Sequence, residues 1–239
     1  RVDQLSYAIG SEHSQSPREN ILPASLAFVL VGVAVAVVYV NSIQNSFHYD
    51  DFHSIVNNPN IRDLGNLARF FVDATLFSED PRSSMYRPVL LTSYAVTQYL
   101  DPAIDPDPRV FRLINIVIHI VNVGLVICLV SIICKHRWVG MGAGAIFALQ
   151  PVNSEVINYI SSRSESLCAL FFLSSLTCYA AATRTVKGRS ALLSASVIAF
   201  AAALGSKSIA ITLIPMLPLL EWSIGRTNSS SLAERTLRR

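Results

Sequence analysis

Residues 21–43 read ILPASLAFVLVGVAVAVVYVNSI and contain no charged side chain. As a helix rising 1.5 Å per residue this run is about 35 Å long, enough to cross a hydrocarbon core of roughly 30 Å. FHYDDF (47–52) follows almost at once, so Asp50 and Asp51 stand at a membrane surface, within reach of lipid headgroups. An acid or base at that depth suits an enzyme acting on a lipid-linked substrate. The plainer meaning is that the pair marks the water boundary. The run lies behind a polar segment (1–20), is too long for a signal-peptide core and has no evident cleavage site, so it reads as a retained anchor.

Composition agrees. The chain is 51% hydrophobic and 15% charged, as integral membrane proteins are. A net charge of +3, with no basic patch interleaved with aromatics, sets nucleic acid aside. Cys128, Cys134, Cys168 and Cys178 lie in or beside apolar runs and form no CxxC pair, which indicates neither a zinc site nor a disulfide framework. They read as buried thiols packing as small hydrophobes. The chain begins with Arg1 and stops soon after an apolar segment, as a processed product or a piece of a longer protein would.

Further spans follow at 111–134, 139–150 and 166–182, the second of them short and rich in small residues, as a helix packed inside a bundle would be. The last apolar block, 191–222, is interrupted by Gly205-Ser206-Lys207-Ser208 and is either one helix of about 48 Å or a hairpin. Charge favours the hairpin. Lys135 and Arg137, then Arg184, Lys187 and Arg189, then Arg226, Arg235, Arg238 and Arg239 then fall on one side, the cytoplasmic one under the positive-inside rule. The loop 44–110, with nine acidic residues against five arginines, falls outside. The expected fold is an all-α integral membrane protein of about six transmembrane helices with a long external first loop holding short surface helices. Its parts are a cytoplasmic segment (1–20), a transmembrane domain (21–222) and a cytoplasmic, poorly ordered tail (223–239), whose Asn228-Ser229-Ser230 sequon would escape glycosylation. Within the loop, 63–77 has apolar residues near helical spacing and is expected to lie along the membrane surface.

Ionisable residues within or beside these spans each cost a few kcal/mol unless paired or hydrated. In this topology Asp50, Asp51, Arg87, Glu155, Arg163, Glu165 and Lys207 all collect on the outer face. Carboxylates beside fixed cations there could hold a phosphate and supply a base. Each also has a plainer meaning: Arg163 and Glu165 pair with each other or cap a helix, and Lys207 snorkels from a loop tip. His119, near mid-span in the second helix, is more often a helix-to-helix hydrogen-bonding residue than a catalyst.

Five stretches in order, FHYDDFHSIVNNPNI (47–61), YRPVLLTSYAVTQYL (86–100), FRLINIVIHIVN (111–122), FALQPVNSEVINYISSRSESLCALFFLSSL (147–176) and ALGSKSIAITLIPMLPLLEW (203–222), resemble the membrane part of GT-C glycosyltransferases. The likeness is specifically to the TMTC O-mannosyltransferases and their bacterial tetratricopeptide-repeat-linked relatives. The resemblance implies sugar transfer from a polyprenyl- or dolichyl-phosphate donor to an acceptor hydroxyl on the external or lumenal side, in a bacterial inner membrane or an ER-type membrane, with both termini cytoplasmic. It implies that Asp50 or Asp51 is the general base, its neighbour orienting the acceptor or a divalent metal. Arg87, Arg163 and Lys207 then neutralise the departing lipid phosphate, with His119, Glu155 and Glu165 in the same substrate-binding set. The chain departs from the family pattern at Gln150-Pro151, where His-Pro is usual, and at Ser206-Lys207-Ser208, where Ser-Lys-Glu is usual. The alternative expectation is a non-catalytic subunit built from the same fold into a larger membrane complex.

Overall fold

The computed structural model describes residues 24–101 and 105–237; the segment 1–20 lies outside them. Every regular element among the described residues is helical. Helix α1 (Ala24–Tyr39) continues into a 3-10 turn at Val40–Gln44. After a polar cap come α2 (Pro88–Leu100), α3 (Pro108–Cys134), α4 (Arg137–Leu149), α5 (Asn153–Asn158), α6 (Arg163–Ala182), α7 (Arg189–Ser206) and α8 (Leu213–Leu237).

The helix ends follow local chemistry. Pro88 and Pro108 occupy first-turn positions, where proline's missing N–H costs nothing. Asp107 caps α3 by accepting from the Arg109 N–H at 2.8 Å. Lys135, at φ 55°, ends α3 in the left-handed region. The stretches Pro108–Cys134, Ile160–Ala182, Arg189–Ser206 and Ser208–Gly225 are long and apolar enough to cross a membrane, and Phe28–Gln44 and Arg137–Leu149 are shorter apolar helices. The protein is an all-α integral membrane protein.

Helix α3 is central, packed on α4 and α6, with α1 against α4 and α3, and α7 against α6. A Cβ on Gly140 would lie 2.6 Å from the Ile127 carbonyl, so only glycine lets α4 approach α3 this closely. Two side-chain contacts decide the last apolar block. Lys207 Nζ meets Glu165 Oε1 at 2.6 Å at one end of α6, and the Tyr179 hydroxyl donates to Glu221 Oε1 at 2.9 Å near the other. Ser175 and Ser196 bond each other between them. Thus α7 runs antiparallel to α6 and α8 runs parallel to it, as a hairpin requires. The chain turns at Lys207 and a 3-10 turn at Ser208–Thr212. Helix α8 carries on to Leu237, through most of the stretch expected to be an irregular tail. Leu232, Ala233, Glu234 and Arg235 are strong helix formers, and propensity continues the helix after hydropathy ends.

The cap between α1 and α3 has a core of its own. Ile55, Ile61, Phe70 and Phe77 pack with Leu90, Leu91 and Tyr94 of α2, Phe111 of α3 and Ile160 in one buried cluster. The surface helix expected over 63–77 is not formed. That stretch is three 3-10 turns, at Leu64–Asn66, Arg69–Phe71 and Ala74–Phe77. Asp63 accepts from the Gly65 N–H (2.8 Å) and Asp73 from the Thr75 N–H (3.0 Å), local bonds that compete with a continuous helix and start the first and third of these turns. Buried Asn58 then straps the stretch down by donating to the Leu76 and Phe77 carbonyls, both at 3.1 Å.

Candidate functional site

The two adjacent aspartates have opposite environments. The chain turns sharply at Tyr49 (φ 45°), and a π turn at Phe52–Val56 follows. Asp51 points inward and is fully buried. Its Oδ1 accepts from the Ser161 N–H (2.9 Å) and hydroxyl (2.6 Å), and its Oδ2 from the His48 N–H (3.0 Å). Two fully buried guanidiniums, Arg112 and Arg163, lie within electrostatic range of it. Its lone pairs are largely committed to tying the cap to the loop before α6. Asp50 points outward, with 67% of its side chain exposed. Its Oδ1 lies 3.6 Å from His53 Nε2, while His53 Nδ1 is 3.0 Å from the Ser78 hydroxyl. The Asp50 N–H donates to the Tyr159 hydroxyl at 3.1 Å. Burial, acting chiefly, pushes the Tyr159 phenol above its usual pKa, so it stays a neutral hydroxyl.

Asp50 and His53 line a polar cleft of about 490 Å³ together with Arg82, Arg87, Tyr159, Ser161, Ser164, Glu165 and Lys207. Its three cations are held differently. Arg82 forks onto Asp80, with both contacts at 3.2 Å, and these bonds hold the Asp80 carboxyl below the usual carboxylate range. Lys207 is held by Glu165. Arg87 donates to the Ser164 hydroxyl (3.3 Å) and lies over the Phe77 ring (5.8 Å), with no carboxylate partner among the described residues. Of the three cleft cations it is the one that no described carboxylate holds.

Arg87 and Met85 also line a second, apolar groove of about 1180 Å³. Phe71, Tyr86 and Val89 form one wall, and Ala201, Ala202, Leu204 and Gly205 of α7 the other. The small residues of α7 make room, and a Cβ on Gly205 would meet Val89 Cγ2 at 2.9 Å. An apolar groove opening at an arginine onto a polar cleft suits an amphiphile with an anionic head.

Of the residues singled out from the sequence, Asp50, Arg87, Glu165 and Lys207 share the cleft, and Asp51 stands behind it. Arg163 is elsewhere. It is fully buried, donating to Asn115 Oδ1 (2.7 Å), Thr97 Oγ1 (2.8 Å), Ser93 Oγ (3.1 Å) and the Phe111 carbonyl (2.7 Å), between the Tyr94 and Phe111 rings. It does not pair with Glu165, whose partner is Lys207. His119 lies among α1, α3 and α4, stacked on Phe147 (5.5 Å) and 3.3 Å from the Ala148 carbonyl, as an interhelical hydrogen-bonding residue would. Glu155 lines a different cavity. Sequence reasoning missed Arg82, His53 and Tyr159; the i, i+3 spacing from Asp50 to His53 was a usable signal for the second. Among the described residues no three His, Cys, Asp or Glu side chains converge, and the Asp51 oxygens are already bonded.

No family model matches the chain. No solved structure matches it. Known proteins do. Protein O-mannosyl-transferase TMTC1 of Mus musculus is 28% identical over 172 residues, 70% of this chain and 18% of that protein. Protein O-mannosyl-transferase TMTC4 of Homo sapiens is 28% identical over 181 residues, 69% of this chain and 24% of that protein. Protein O-mannosyl-transferase Tmtc1 of Drosophila melanogaster is 26% identical over 219 residues, 90% of this chain and 24% of that protein. The chain thus spans about a fifth to a quarter of the relatives it is similar to.

Proposed function

We propose that this chain forms the catalytic membrane portion of a glycosyltransferase that moves a sugar from a polyprenyl- or dolichyl-phosphate donor to a protein hydroxyl on the external or lumenal side. The observation that carries the proposal is the junction at Arg87, where an apolar groove sized for isoprenoid meets a polar cleft holding an exposed carboxylate. The relatives' names supply the transfer class and the protein acceptor. In this reading the four long apolar helices and the two shorter ones make six spans over 21–222, and the clusters of lysine and arginine favour a cap outside and both termini in the cytoplasm.

In this reading the lipid tail lies along α7 and the phosphate between Arg87 and Lys207. Asp50 removes the proton from the acceptor hydroxyl as that oxygen attacks the anomeric carbon. The bond from that carbon to the phosphate oxygen breaks, and the lipid phosphate leaves with the electron pair. Arg87 and Lys207 neutralise the leaving charge, which grows in the transition state and so accelerates the step. His53, braced by Ser78, orients Asp50. Asp51 and Arg163 position the loops that carry the site.

The test is transfer from a panel of polyprenyl-phosphate sugars by the chain in lipid nanodiscs, with Asp50→Asn alongside. The expected result is transfer that this substitution cuts by about 10²–10⁴-fold while the helical content and melting temperature stay unchanged. Undiminished transfer by Asp50→Asn would remove it as base. If neither this chain nor a longer one that contains it moves sugar from any donor while natively folded, the chain is instead a structural subunit of a larger complex; recovery in the longer one makes it a piece of the enzyme. The altered Gln150-Pro151 and Ser206-Lys207-Ser208 motifs favour that second reading.

A further inference from the structure

Asp50 is approached from a second direction. A cavity of about 530 Å³ is lined by Asn45, His48, Tyr49, Glu155, Asn158 and Tyr159. Tyr159 lines both this cavity and the polar cleft, and its hydroxyl takes the Asp50 N–H, so it stands between them. Tyr49 precedes Asp50 directly in the chain.

The walls are built rather than incidental. Arg112, fully buried beneath, donates to the carbonyls of Asn45 and Ser46 on one wall and to that of Asn158 (3.2 Å) on the other. One guanidinium therefore fixes both sides. Tyr49 is 86% exposed and holds φ 45°. Left-handed backbone is unfavourable for a bulky residue, and such strain persists where surrounding bonds over-determine it. Here the His48–Asp51 bonds do so, from His48 N–H to Asp51 Oδ2 and from Asp51 N–H to the His48 carbonyl, each 3.0 Å. The backbone that carries the Tyr49 phenol is thus fixed at the rim. Asn158 Oδ1 is left without a partner. No lysine or arginine lines the cavity, and Glu155 forms no ion pair among the described residues.

We propose that this cavity is the acceptor subsite and that its occupant is an extended polypeptide carrying a lysine or arginine close to the hydroxyl residue. The proposal rests on the transferase reading above. Rigid tyrosines and carboxamides contact a backbone and its side chains with little ordering cost, and the unpaired Glu155 selects a cation. Position argues the same way. Direct displacement needs the attacking oxygen on the side of the anomeric carbon opposite the departing phosphate. The linings of the Arg87–Lys207 cleft and of this cavity share only Tyr159, so donor and acceptor do not compete for space.

The experiment uses the whole chain in nanodiscs and two fluorescent peptides that share one serine, flanked by lysines in one and glutamates in the other. Binding is read by anisotropy without donor. The expected result is that the lysine peptide binds at least tenfold more tightly, that Glu155→Lys reverses the preference, and that Tyr49→Ala weakens both peptides alike. Equal binding of the two peptides, a preference that survives Glu155→Lys, no binding, or capture of a neutral oligosaccharide in place of peptide each overturns the proposal. The two readings fail separately. Peptide preference without transfer keeps the subsite and sinks the transferase; transfer whose acceptor KM is indifferent to Glu155→Lys and Tyr49→Ala keeps the transferase and sinks the subsite.

Discussion

The helical bundle and the cap are held by different physics, and two arginines show the difference. In the bundle, close approach comes from small residues and apolar layers, such as Gly140 on Ile127 or Leu176 and Leu220 within one cluster. In the cap and its roof, compactness comes from buried polar groups that each satisfy several partners. Arg163 is buried and spends its donors on four neighbours. Arg87 is half-buried and engages only a serine hydroxyl and a ring face. Both look alike in a sequence, yet one holds the fold and the other is free for a ligand.

Replacing each arginine by methionine breaks that comparison most directly. Arg163→Met leaves Asn115 Oδ1 and the Phe111 carbonyl without their buried donor, at about 1–3 kcal/mol for each group left unsatisfied. A thermal unfolding scan in nanodiscs reads this as a large fall in melting temperature or as failure to express. Arg87→Met should melt near the parent and lose about 10²–10³-fold in sugar transfer. If the two variants exchange phenotypes, the assignment of structural and ligand-facing arginines is wrong.

The aspartates sharpen the same contrast on a smaller scale. Asp51→Asn turns an acceptor toward the His48 or Ser161 N–H into a donor, at a cost of about 1–3 kcal/mol. Asp50→Asn, at an exposed position, should stay within about 0.5 kcal/mol of the parent. Denaturant or thermal titration of the pair checks this, and equal destabilisation would mean that both carboxylates are structural.

Gly140→Ala probes the bundle. Its Cβ would meet the Ile127 carbonyl at 2.6 Å and the Ser131 hydroxyl at 2.0 Å, so α4 must move off α3. The expected loss is about 1–3 kcal/mol, the usual cost of overpacking. Gly142, whose Cβ would meet nothing within 4 Å, is the control, and its alanine variant should be neutral or slightly stabilising. A double-mutant comparison with Ser131→Ala, which removes the hydroxyl at 2.0 Å but leaves the Ile127 carbonyl, should recover part of the Gly140→Ala loss.

The same contrast explains what could be read from the chain. Spans at 111–134 and 166–182 were legible because hydropathy is a local sum, and the turn at Lys207 because glycine and serine interrupt it. Asp50, Arg87, Glu165 and Lys207 were legible as a group because a membrane leaves few places for charge. Which aspartate is buried was not legible, because Ser161, which decides it, is 110 residues away in sequence. Nor was the Lys207–Glu165 pairing, which needs α6 and α7 side by side. Apolar spacing over 63–77 suggested a helix, but Asp63 and Asp73 bind their own backbone, and Asn58 supplies the anchor.

The smallest effect concerns Asp80, which is partly exposed and shapes the cleft by holding Arg82. The Arg82 side-chain bond, aided by the Arg82 backbone N–H, lowers the Asp80 pKa in the folded protein. A lowered folded pKa means that the folded state favours the carboxylate. Its contribution is therefore present above the unfolded value near 3.8 and is lost as pH falls through the lower folded value. Acid should release Arg82 only below the range where ordinary aspartates have already protonated. Asp80→Asn should release it at neutral pH, leaving the melting temperature unchanged within error. Freed Arg82 would then compete with Arg87 for an anionic headgroup, so the variant should bind polyprenyl phosphate slightly more tightly and release it more slowly. If Asp80→Asn instead weakens headgroup binding, the Asp80–Arg82 fork is itself part of the phosphate cradle, and the separation drawn between held and free cations fails at that residue.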